Sequence, residues 1–234
     1  SKLAQKYSQG GGMEDIDSIM GTFTGRALPP MRTIDYIGID VYLTILENIG
    51  SAKDVEETPR YLLSMQQKGW LGKKESAGGC YRKRLVEEEN ASRYQVFDIG
   101  PNSYRDQKSV CFPFAKTMIT HLLQGNIDKA FKTLRMDDSL EGKICKHLLV
   151  YYIFIAHQAT VGVAYEMEAI DTAMEQGYGW LSPRKMVTLL DGIQGIEEII
   201  ESNKKVSLSI EYDDLSWVDD FMTPVSENDL RFFP

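Results

Sequence analysis

One pattern occurs twice in this chain. Ile16-Asp17-Ser18-Ile19-Met20 opens the first copy and Ile170-Asp171-Thr172-Ala173-Met174 opens the second. Read onward without gaps, Gly25 meets Gly179, Pro29 meets Pro183, Gly38 meets Gly192 and Ile45 meets Ile199. A duplicated unit limits the architecture before any residue is assigned chemistry. One short helical unit cannot bury its apolar stripe alone, so its twin or a partner must cover it.

The periodicity around both copies is helical, and the expectation is an all-α fold of two tandem modules with minor short strands. Met13 to Met20 reads as a short acidic helix, with Glu14, Asp15 and Asp17 early, where the helix dipole favours them. Pro29-Pro30 closes a loop, and Met31 to Ile49 reads as one long helix. Thr58-Pro59 starts another, with Thr58 as cap. Phe112 to Gly125 and Ile127 to Met136 read as amphipathic helices. Asp138 and Glu141 resemble a capping box opening a long helix to about Ala164, or to Ala169, whose middle is apolar nearly all round. The expected boundaries are a first module at 1–84, a linker at 85–110, a second module at 111–204 and a tail at 205–234. Tyr94 to Asp98 and Lys205 to Asp213 could be short strands, and the tail carries Trp217, Phe221, Phe232 and Phe233. Lys2 to Tyr7 reads as the end of a helix, so the chain is expected to be a fragment of a longer protein.

Composition narrows the partners. Of 234 residues, 43% are hydrophobic and 26% charged, which suits an ordinary globular domain. The net charge of −8 argues against nucleic acid or an anionic membrane, since phosphate binding needs a basic surface. Cys80, Cys111 and Cys145 make no disulfide framework or zinc knuckle and are expected to be reduced thiols in a cytoplasmic protein. The apolar run Leu148 to Ala156 is too short to span a bilayer.

Three stretches carry a family resemblance: Asp15 to Met20, Pro30-Met31-Arg32-Thr33-Ile34-Asp35-Tyr36-Ile37-Gly38-Ile39-Asp40, and Trp70-Leu71-Gly72-Lys73-Lys74 followed by Gly79-Cys80-Tyr81. In order and spacing they resemble the helical C-terminal domain of the 3-hydroxyacyl-CoA dehydrogenases. The second copy, through Gly177 to Pro183, is similar to the second repeat of the long, multidomain bacterial members. The resemblance implies two 6-phosphogluconate-dehydrogenase C-terminal-like helical modules. It also implies NAD-linked oxidation of a 3-hydroxyacyl-CoA to the 3-ketoacyl form in fatty-acid β-oxidation. On this reading NAD is bound by an N-terminal Rossmann domain of the same parent, the substrate is an acyl-CoA, and a homodimer is possible. The alternative is a non-catalytic helical assembly or dimerisation module derived from that fold. Two departures stand out. Glu75 to Tyr81 carries one extra residue, and the second copy has Pro183-Arg184-Lys185 with Asp191 moved next to Gly192.

The family's reactive parts are not found in the sequence. No Gly-x-Gly-x-x-Gly follows a strand, and Gly69 and Gly72-Lys73 are too close for a P-loop. His121, His147 and His157 all fall in expected helices, where a histidine satisfied by a neighbour is the ordinary case. No catalytic, cofactor or metal residue is therefore assigned, and the chain alone is expected to be inactive. The resemblance places an apolar, acyl-facing region at Met31, Met65 and Trp70, whose ordinary reading is core. Lys73 and Lys74 could meet a CoA phosphate as point charges, or be a solvated pair. Asp17 and Asp171 read as helix-start charges, and Asp35 and Asp40 as braces between the long helix and the proline loop.

Overall fold

The computed structural model describes residues 12–49, 60–74, 77–86, 91–164 and 166–204. The expected helix end at Lys2 to Tyr7, the Thr58 cap, the strand at Lys205 to Asp213 and the aromatic tail lie outside the described residues. The fold is mostly helical with one small sheet, as the pattern implied. The chain divides into two compact units: Ser1–Ser18 with Leu28–Cys111, and Ile19–Ala27 with Phe112–Pro234. A nine-residue piece of the first copy thus belongs to the second unit.

In the first unit, α1 (Met13–Ile19) leads through the proline loop to α2 (Pro30–Ile37) and α3 (Ile39–Ile49), and α4 (Arg60–Gln67) follows. The expected single helix over Met31 to Ile49 is in fact two. Gly38 breaks it at φ +105°, a backbone state that L side chains rarely adopt. Its amide still closes α2 on the Ile34 carbonyl, while the Ile39 amide leaves the helical ladder and donates to the Leu71 carbonyl at 2.7 Å. Pro30 suits the first turn of α2, because a helix-start N–H has no intrahelical partner to lose.

The strands β1 (Tyr81–Val86), β2 (Ala91–Asp98) and β3 (Ser103–Asp106) form an antiparallel meander in the order β1-β2-β3. Tyr81 is opposite Val96, and Phe97 is opposite Tyr104. Residues 85–110, read from the sequence as linker, therefore hold most of this sheet. Its charged, exposed outer residues hide the strand alternation. The core gathers Met31, Ile34, Leu62 and Met65 from the helices, Cys80 from the turn ahead of β1 and Phe97 from the sheet. Trp70, Phe97 and Tyr104 pack as an aromatic cluster, with ring centroids 4.9–5.9 Å apart.

The second unit starts with a 3-10 turn at Thr22–Thr24. It continues through α5 (Pro113–Leu123), α6 (Ile127–Met136), the long α7 (Leu140–Gly162), α8 (Met167–Thr172), a π turn at Ala173–Gly177, α9 (Pro183–Leu189) and α10 (Gly192–Lys204). The cap of α7 is Ser139, not Asp138. The Ser139 hydroxyl accepts from the Gly142 amide at 3.1 Å, and Asp138 instead pairs with Lys143 at 3.7 Å. Phe131, Leu134, Ile144, Leu149 and Ile153 are fully buried, and Phe23 meets Phe114 edge to face at 6.0 Å. No helix among the described residues is long and apolar enough to cross a membrane.

Candidate functional site

The motif residues of the first copy converge on the start of β1. Pro29 and Pro30 leave α2 without a side-chain cap of its own. The second residue of α2, Met31, has an orphan N–H. Asp17, on α1, supplies the missing acceptor: its Oδ1 takes the Met31 N–H at 2.7 Å, and its Oδ2 takes the Tyr81 hydroxyl at 2.7 Å. Asp17 does not simply favour the dipole of its own helix; it caps the next one. Burial pushes its carboxyl up to about 6, against the Tyr81 and Met31 hydrogen bonds that hold it down.

Asp35, near the end of α2, is the second brace. Its Oδ1 accepts the Cys80 N–H at 2.6 Å and its Oδ2 the Tyr81 N–H at 2.8 Å. Burial raises its carboxyl too, against the same two backbone donors. It reaches the turn ahead of β1 and not the proline loop expected from the sequence. Asp40 stands in the first turn of α3. The glycines of the motif make room for this approach. A Cβ on Gly72, at φ +130°, would lie 2.5 Å from the Asp35 carbonyl, and one on Gly79 would lie 2.2 Å from Asp35 Oδ1. The Arg32 guanidinium covers the Tyr81 ring at 4.0 Å, and the Tyr104 hydroxyl donates to the Gly79 carbonyl at 2.6 Å. Burial raises the Cys80 thiol well above the usual range, so it stays a protonated core side chain. This arrangement fixes two helices to a strand. Each carboxylate oxygen is already committed to a donor.

The five residues expected to face substrate fall in this same unit. Met31 and Met65 are core side chains. Trp70 is half-buried between Phe97, Tyr104 and the Lys68 ammonium, which lies 4.6 Å from its ring. Lys73 and Lys74 are exposed on the turn after Gly72, where the Lys73 amide donates to the Asp35 carbonyl at 2.9 Å. Sequence reasoning missed the link from Arg105 to the buried Glu14 at 2.5 Å and to Asp98 at 2.9 Å. A charge in a first helical turn and an arginine in a polar strand give no signal of their pairing.

The second copy repeats the cap in its own unit. Ser182 and Pro183 leave α9 uncapped, and Asp171 Oδ1 accepts the Arg184 N–H at 3.4 Å. Its Oδ2 pairs with the Arg184 guanidinium. Leu189 and Leu190 stand where the first copy has Asp35 and Tyr36, and Asp191, at φ +77°, pairs with Arg135 at 3.6 Å. Of the three histidines, His121 lies in α5, and His147 and His157 in α7; His147 is buried, and desolvation lowers its imidazole. Among the described residues no group of three or more His, Cys, Asp or Glu could hold a metal ion.

The C-terminal domain family of the 3-hydroxyacyl-CoA dehydrogenases matches residues 2–82. A probable 3-hydroxyacyl-CoA dehydrogenase of Bacillus subtilis (strain 168) is 26% identical over 193 residues, or 79% of this chain. The match covers 23% of that relative, so the chain spans less than a quarter of its length. No solved structure matches the chain significantly.

Proposed function

We propose that this chain, whose residues 2–82 match the C-terminal domain family of the 3-hydroxyacyl-CoA dehydrogenases, is the helical C-terminal part of an enzyme of that activity. The parent would oxidise a 3-hydroxyacyl-CoA to its 3-ketoacyl form with NAD, in fatty-acid β-oxidation. In this reading the chain is two copies of one module. It lends one wall to the acyl-CoA cleft and offers packing surface to an N-terminal nucleotide-binding domain or to another subunit.

The supporting observation is that both motif carboxylates of the first copy are spent on structure. Asp17 and Asp35 accept four hydrogen bonds from Met31, Tyr81 and Cys80, which suits a scaffold whose reactive groups come from elsewhere. The described residues do not fit NAD. Their sheet is a three-stranded antiparallel meander, whereas a dinucleotide sits where a parallel strand turns through glycines into a helix. No hydride step is assigned to this chain. Of the five expected substrate residues, the exposed pair Lys73 and Lys74 suits a CoA phosphate best, with Trp70 beside them in sequence.

The test is reconstitution. The chain is mixed with the dinucleotide-binding domain of its parent, and NADH absorbance is followed with a 3-hydroxyacyl-CoA. Turnover by the mixture and none by the chain alone is the expected result. Turnover by neither, with both parts folded, favours the second reading: a non-catalytic assembly module, which the same spent carboxylates would equally serve.

A further inference from the structure

Within the second unit, the Ile19–Ala27 piece of the first copy meets its counterpart loop from the second copy. The contacts run in opposite directions. A Cβ on Gly25 would lie 2.6 Å from the Leu181 Cβ, the Arg26 guanidinium stacks 3.7 Å from the Trp180 ring centre, and a Cβ on Gly179 would lie 3.2 Å from the Ala27 Cβ. The Leu181 N–H donates to the Gly25 carbonyl at 2.7 Å. In the ungapped alignment Gly25 corresponds to Gly179, Arg26 to Trp180 and Ala27 to Leu181. Each outer residue therefore meets the counterpart of the other outer residue, and the middle residue meets its own counterpart directly. That is the contact pattern of an isologous two-fold interface, here made inside one chain.

The two loops are not interchangeable. If both carried the first sequence, the axis would set one guanidinium against another; if both carried the second, it would set two indoles together. Arg26 against Trp180 replaces the like-charge contact by a cation–π contact. The bulky Leu181 sits opposite Gly25, at φ +81°, while Gly179 has only Ala27 to accommodate. Tyr152 fixes the receiving side: its hydroxyl donates to the Leu181 carbonyl at 2.8 Å, and its ring meets Trp180 edge to face at 5.8 Å.

We propose that Gly25–Arg26–Ala27 and Gly179–Trp180–Leu181 form a selective pairing surface, with Arg26 on Trp180 as its specificity-determining contact, so that the first loop takes the second loop of the same chain in preference to a second copy of itself. This rests on the reading of the chain as two copies of one module. Any homodimer must then use another face.

The experiment is a double-mutant cycle in the full chain, with Arg26→Ala, Trp180→Ala and the pair, read by thermal unfolding at protein concentrations spanning about two orders of magnitude. Arg26→Ala is expected to lower the midpoint by about 2–4 °C. In the Trp180→Ala background, adding Arg26→Ala should lower it little further. Both results should be independent of concentration. Additive losses would overturn the proposal, and so would a coupling that disappears on dilution, because that would place the partner in a second copy. Reconstituted dehydrogenase turnover is read separately: coupling without turnover would sink only the functional reading, and turnover without coupling only the pairing.

Discussion

Asp17 and Asp171 occupy the same place in the two copies and share one role, in that each accepts the N–H of the second residue of a helix that begins with proline. Their second partners differ. Asp17 receives the Tyr81 hydroxyl from β1, a neutral donor far along the chain, in a site where burial carries its carboxyl to about 6. Asp171 holds the guanidinium of Arg184, on the very helix it caps. Burial raises its carboxyl as well, but the Arg184 hydrogen bond and charge oppose it. The first brace ties helices to a sheet, while the second is a local clasp that needs no sheet. The same sequence pattern thus serves either long-range or local order, depending on which donor reaches the second oxygen.

That contrast can be broken by mutation. The largest effect is expected from Asp17→Ala, which strands two buried donors and should cost about 4 kcal/mol in urea unfolding. Asp171→Ala should cost about 2 kcal/mol, because Arg184 is partly exposed and can turn to water. Equal losses would remove the distinction between tie and clasp.

A slightly smaller effect than the first concerns pH. The folded carboxyl of Asp17 lies near 6 and its ordinary value is 3.8, so the native state holds the proton more tightly. The resulting stabilisation is complete below about pH 4 and is lost as pH rises through about 6, roughly 3 kcal/mol in all. Asp17→Asn should flatten that slope. The raised carboxyls of Asp35 and Asp171 leave a weaker trend of the same sign. A slope unchanged by Asp17→Asn would place the proton elsewhere.

Tyr81→Phe should cost about 1 kcal/mol. It should also move the Asp17 titration higher, as seen by carboxyl NMR, since the Tyr81 hydrogen bond is the largest influence holding it down. The smallest change in stability, within about 0.5 kcal/mol, is expected for Lys73→Ala with Lys74→Ala on the exposed turn. In the reconstituted enzyme the same change should raise KM for acyl-CoA and leave kcat nearly unaltered.

Local rules made much of this fold legible. Pro30, Pro113 and Pro183 mark helix starts because their missing N–H costs nothing there. The apolar run of Leu148 to Ala156 marks the middle of α7, which buries Leu149, Val150 and Ile153 but leaves Tyr151 and Ile155 exposed, so one face of it is not core. Gly38 could have been read as a helix break, but the helical spacing on both sides of it masked the turn. The sheet was hidden for another reason. β1 carries Lys83, Arg84 and Leu85 on exposed surface beside a half-buried Arg82, so charge obscures any alternation. In the candidate site, the residue types were visible and their partners were not. Nothing local to Asp17 announces Tyr81, and nothing in Arg26 announces Trp180, because both partners lie far along the chain.

The central claim is that the motif carboxylates hold the scaffold and take no part in the reaction. It is tested most directly by NADH-forming turnover per folded molecule in reconstituted dehydrogenase carrying Asp17→Asn. The account predicts turnover within several-fold of the unaltered enzyme despite altered stability. A variant that folds fully yet loses activity by about three orders of magnitude would contradict it, because a loss of that size is what removing a reacting group produces.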